Sequence, residues 1–174
     1  QAGTAVSQSV QYVTMLIGAN DACTSSESTM TAVATFRSNI DSGLNRLKSG
    51  LPNAKVYVIS IPDVYRLWYV GKSSLSARTA WSSFGICRSI LANPTSTAQA
   101  DVDRRDRVRQ RVIDFNAQLA QACVAYGANC RFDGNAAFNY PFTLGQLSGW
   151  DYFHPNTSGQ QVLASVSYAA GFAW

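Results

Sequence analysis

Tyr12-Val13-Thr14-Met15-Leu16-Ile17-Gly18-Ala19-Asn20-Asp21 is the stretch on which the fold turns. Its first part is a short apolar, partly β-branched run closed by glycine, the pattern of a buried strand. The polar residues that follow lie at the strand's C-terminal end, where open α/β sheets place their ligands. A Gly-Asn-Asp turn whose side chains bond only local backbone is the competing reading, and composition alone leaves both open.

Upstream, residues 1–11 have the look of the tail of a polar helix. Downstream, from Thr29 to Gly50, Met30, Val33, Phe36, Ile40, Leu44 and Leu47 recur at steps of three and four, which predicts an amphipathic helix stopped by Gly50 and Pro52. Lys55-Val56-Tyr57-Val58-Ile59-Ser60-Ile61 then reads as a second strand, ended by Pro62. Strand, helix and strand at this spacing predict a right-handed βαβ unit with parallel strands, hence an α/β fold. Between Pro62 and Pro94 the pattern is irregular and aromatic, with Tyr65, Trp68, Tyr69, Trp81 and Phe84 either packing over the core or walling an apolar groove. Ser96 with Gln99 resembles a capping box, and Val108, Val112, Phe115, Leu119 and Cys123 predict the longest helix, down to Tyr126 and Gly127. A weak last strand over 129–132 and a closing helix over 157–172 complete the chain. No repeat or low-complexity tract interrupts it.

A chain of 174 residues fits one domain, 1–174, with 47% apolar and only 14% charged residues, which argues for a packed core and against disorder. The net charge of +4 is too weak a field to indicate nucleic acid. The densest basic run, Arg104 to Arg111, alternates with Asp101, Asp103, Asp106 and Asp114 and reads as a solvated helix face with local ion pairs. No run suits a membrane span and no signal peptide opens the chain, whose start at Gln1 is read as processing. The four cysteines lack zinc-site spacing, so two disulfides and an oxidising, extracellular setting are expected. Three pairings exist; the short loop between Cys123 and Cys130 favours that pair, with Cys23 joined to Cys87.

The chemistry concentrates in Trp150-Asp151-Tyr152-Phe153-His154-Pro155, which holds the only histidine. Asp151, three residues earlier, can reach back to the near ring nitrogen. A surface-turn histidine with Pro155 at the first helical position is the plain alternative. An imidazole with a carboxylate behind it is two thirds of a nucleophilic triad, and a hydroxyl becomes a nucleophile only when such a base takes its proton.

These residues, with Val13 to Asp21 and Ser60-Ile61-Pro62-Asp63, resemble the later sequence blocks of the SGNH, or GDSL-type, hydrolases, and are especially similar to the secreted actinobacterial branch. The resemblance implies a three-layer α/β/α fold with a parallel sheet and a serine esterase or lipase needing neither metal nor organic cofactor. It implies that His154 is the general base, that Asp151 orients it, and that Asn20 aims its amide into the oxyanion hole.

The family's first block, Gly-Asp-Ser with the nucleophile, and its oxyanion-hole glycine do not occur here. The resemblance covers nearly all of the chain but only the later part of the family's domain. Three expectations follow: an N-terminal fragment of the same protein supplies the serine and pairs beside the strand at 12–17, whose edge is otherwise open; the chain is a non-catalytic remnant or binding domain; or Ser60 takes over as nucleophile. The expected substrate is a lipid or other apolar acyl ester, with an acetylated polysaccharide as its rival.

Overall fold

The computed structural model describes residues 1–172 and Trp174. Three strands form a parallel sheet in the order β1 (Tyr12–Met15), β2 (Lys55–Val58), β3 (Cys130–Phe132). The register sets Val13 against Val56 and Met15 against Val58, and Val56 against Cys130. Both strand runs are shorter than the hydrophobic pattern suggests. Leu16 and Ile17 continue past β1, outside the ladder, with 42% and 37% of their surface exposed. Ile59 and Ser60 leave β2 toward the polar network described below.

Strand alternation assigns the layers. Val56 and Val58 face the main core, with Phe36, Ile40, Leu44 and Leu47 of α3 (Val33–Gly50) and Val108, Val112, Phe115 and Leu119 of α7 (Gln99–Tyr126). Phe36 and Phe115 stack there with centroids 4.1 Å apart. α1 (Ala2–Ser7) packs on α3, where Gly50 lets Val6 approach. Tyr57 points the other way, and its hydroxyl donates to the Ser167 carbonyl of α9 (Thr157–Ala169) at 2.6 Å. The result is an α/β/α sandwich, and α9 ends before 172 because Phe172 turns back to stack on Tyr12 at 4.6 Å.

Two local readings are corrected. The stretch between Pro62 and Pro94 is not irregular. It forms α4 (Val64–Gly71), α5 (Leu75–Phe84) and α6 (Arg88–Leu91), with α2 (Ala19–Ala22) earlier in the chain and α8 (Ala136–Asn139) later. Asp63 caps α4 by accepting from the Tyr65 amide, and Ser74 caps α5. The supposed capping box does not form: Ser96 Oγ accepts from the Ala98 amide, Ala98 is the N-cap, and Gln99 bonds Asp103 instead. The basic run keeps a solvated face, with Arg107 and Arg109 exposed and Arg104 paired locally with Asp101, but its arginines also reach beyond α7. Arg107 pairs with Glu27, Arg109 with Asp63, and Arg111 donates to the Thr31 carbonyl, so these arginines tie α7 to other elements. Disulfides join Cys23 to Cys87 and Cys123 to Cys130. Among the described residues, no helix is long and apolar enough to cross a membrane.

Candidate active site

The residues that the sequence singles out converge on the C-terminal end of the sheet. A cleft of about 340 Å³ is lined by Asn20 and Ala19 of α2, by Leu16 and Ile17, by Val64, Leu67 and Val70 of α4, and by Phe153, His154 and Pro155.

His154 sits on a turn built to hold it. Asp151 Oδ2 lies 2.6 Å from His154 Nδ1, while Asp151 Oδ1 accepts from the Phe153 and His154 amides at 2.9 and 3.1 Å. A carboxylate can only accept, so Nδ1 carries a proton, and it is at Nε2 that the neutral ring presents its lone pair, the nitrogen a general base uses. Asp151 is largely buried and His154 open. Burial pushes the Asp151 carboxyl upward, but the hydrogen bonds from His154 and the two amides outweigh it and hold the group below the usual carboxylate range. Tyr152 takes a left-handed conformation (φ 53°) to close the turn.

The turn is tethered from outside by residues the motif does not reveal. The His154 carbonyl accepts from the Ser148 amide at 2.7 Å, and the indole of buried Trp81 donates to the Tyr152 carbonyl at 3.0 Å. Pro155 does not begin the helix. It bridges Leu147, and Asn156 caps α9 by accepting from Gly159. The Trp81–Tyr152 contact spans 71 residues, which a local motif cannot signal.

Asn20 is exposed on the cleft wall, with its side chain unpartnered among the described residues. Gly18 starts α2 at φ 112°, and a Cβ there would stand 2.6 Å from Ile61 and 2.9 Å from Phe36. The glycine is thus required twice, by conformation and by space. At its other end α2 is fixed by the Cys23–Cys87 disulfide and by Ser89, whose hydroxyl donates to the Ala22 carbonyl at 2.7 Å.

The chain matches the GDSL-like Lipase/Acylhydrolase family over residues 1–162. It belongs to that family. No curated protein and no solved structure matches it.

Membership of the GDSL-like family associates the chain with ester hydrolysis, and two expectations about the site need correction. Ser60 is fully buried, donates to Asp133 Oδ2 at 2.8 Å and accepts from the Phe138 amide at 3.0 Å. Its lone pair and proton are committed to holding the loop after β3, and it does not line the cleft. The aromatic residues of α4 and α5 do not wall the groove either. Helical spacing turns Val64, Leu67 and Val70 toward it and Tyr65, Trp68 and Tyr69 away, so the apolar wall is aliphatic, with Phe142 and Phe153 opposite. Among the described residues, no group of His, Cys, Asp or Glu is placed to hold a metal.

Proposed function

We propose that residues 1–174 are the larger, C-terminal part of a secreted serine ester-hydrolase domain, in which His154 is the general base, Asp151 its orienting carboxylate and Asn20 an oxyanion donor. The observation that carries this is the 2.6 Å Asp151–His154 pair, with Nε2 free, on a cleft that Asn20 also lines. The nucleophilic serine comes from an upstream segment of the same protein that pairs beside β1, one of the two edge strands of the sheet. His154 takes the serine proton as the hydroxyl attacks the ester carbonyl. The imidazolium, steadied by Asp151, returns that proton to the leaving alkoxide, and water then releases the acyl group by the same route. The Asn20 amide offers a hydrogen bond to the oxyanion, worth around 3 kcal/mol for one such donor.

The aliphatic cleft wall supports an apolar acyl group, as in lipid esters. An acetyl esterase on decorated polysaccharide is the second reading. It is favoured by the exposed Phe84–Trp150 pair, whose rings stack 14° from parallel as an open platform next to the His154 turn.

The test is hydrolysis of p-nitrophenyl acetate and octanoate by the chain joined to its upstream segment. Turnover that falls at least about a thousandfold in His154→Ala is expected. Preference for octanoate supports the lipid reading and preference for acetate the polysaccharide one. Absence of turnover in the joined protein would leave a non-catalytic binding domain.

A further inference from the structure

A second cavity, of about 530 Å³, lies on the far side of α4 from the cleft. Its lining includes Trp68 and Lys72 from α4 and its C-cap, Arg78 from α5, Ser96 and Thr97 before α7, and Arg105 within α7. Arg105 is only 2% exposed, yet just one of its nitrogens is satisfied: Nη2 donates to the Ser96 carbonyl at 2.8 Å, while Nε and Nη1 are buried without a partner. The guanidinium lies 4.4 Å from the centre of the Trp68 ring, and Lys72 Nζ lies 4.5 Å from the same centre. The ring faces of Trp68 and Tyr69 attract these cations but do not neutralise them, and the two like charges repel, so a negative group between them would be favoured.

The protein does not supply that negative charge. Among the described residues, no carboxylate pairs with Lys72, Arg78 or Arg105, and the cavity lining contains no acid. Asp101, in the first turn of α7 and outside the lining, is engaged by Arg104 at 2.8 Å, by Asn93 at 3.3 Å and by the Ser96 side chain. Burying guanidinium donors without an acceptor is costly, so an acceptor entering the cavity would stabilise Arg105.

We propose that this cavity binds a tetrahedral oxyanion, the phosphate or sulfate group of a ligand. A planar carboxylate is filled by one guanidinium fork. Three cations arriving from α4, α5 and α7, with the Thr97 hydroxyl beside them, suit a group that presents three or more oxygens in different directions. The site is separated from the ester cleft by the width of α4, roughly 10 Å. It therefore needs neither the serine nor the reading of His154, and it tests independently of them.

The experiment is isothermal titration of the chain with inorganic phosphate at low ionic strength. A single saturable site with a Kd of about 1 mM or tighter is expected, with sulfate competing and chloride at matched ionic strength not competing. The double variant Lys72→Gln/Arg78→Gln, at two partly exposed positions, should weaken binding at least about tenfold, with an unchanged circular dichroism spectrum. Arg105→Gln alone is a poorer probe, because that side chain is buried and its loss can unfold the chain. Absence of saturable heat up to about 20 mM phosphate, equal binding by the double variant, or equal competition by chloride would overturn the proposal. Vesicles of phosphatidylcholine with and without phosphatidylglycerol separate the sources. Phosphate-sensitive pelleting with the anionic vesicles assigns a lipid headgroup, and phosphate binding without pelleting assigns a soluble ester.

Discussion

Asp151 does two jobs with two oxygens: one fixes the imidazole, the other fixes the backbone that carries it. Asp151→Asn keeps the shape but offers an amide that can donate to Nδ1, which permits the wrong tautomer. In the joined protein, the expected loss is about three orders of magnitude in kcat, with little change in KM. The same residue predicts a pH dependence of folding. Its native pKa is depressed, so its stabilisation is complete above the unfolded-state value of about 4 and is lost as pH falls through the lower native value. Urea unfolding should show wild type more stable than Asp151→Asn at neutral pH, with the gap closing toward about pH 2. A gap that is constant with pH would mean that the carboxylate is not linked to folding. Trp81 acts one layer out. Trp81→Phe keeps most of the buried ring but leaves the Tyr152 carbonyl unpaired, at a cost of about 1 kcal/mol.

At the scale of elements, α9 holds the histidine turn by close approach. A Cβ on Gly159 would run into the Gln146 carbonyl, which also accepts from the Asn156 amide at 3.0 Å, and a backbone atom cannot swing aside. Gly159→Ala should therefore cost about 1–3 kcal/mol in urea unfolding. The two disulfides should differ as well. Cys23–Cys87 closes a separation of 64 residues and Cys123–Cys130 one of 7, so chain entropy assigns about 4 and about 2.5 kcal/mol. Calorimetry of the two Cys→Ser double variants should rank them in that order. The elements that a single sequence makes legible are those with a strong local period: α3, α7, β2 and the βα corner at Gly18. What it hid was non-local. α4 and α5 mix aromatic and aliphatic residues because each faces two different environments, which blurs the period. The hydroxyl of Ser60 is held by Asp133, 73 residues away in the chain. Arg105 looked like one more surface charge in an alternating run, yet it is buried under Trp68.

For the whole molecule, the open question is the side of the sheet beyond β1. Lys55 donates to the Gln11 carbonyl and Ile59 to the Met15 carbonyl, so the odd-numbered residues of β1 face β2. Tyr12 and Thr14 therefore turn their backbone N–H and C=O groups outward, toward the empty edge. The same side is thin above the sheet: α9 covers Tyr57 but leaves a cavity of about 330 Å³ at Thr14, Leu163 and Phe172. A strand from an upstream segment would pair with those outward groups, cover that gap and carry its C-terminal end toward His154. Hydrogen exchange reads this directly. In the chain alone, the Thr14 amide should exchange quickly while Tyr57, in the central strand, stays protected. In the joined protein Thr14 should gain at least about a hundredfold in protection, because the edge amide becomes a ladder amide. If Thr14 exchanges as fast in the joined protein as in the chain alone, the upstream segment docks somewhere other than beside β1, and the serine must reach His154 by another path.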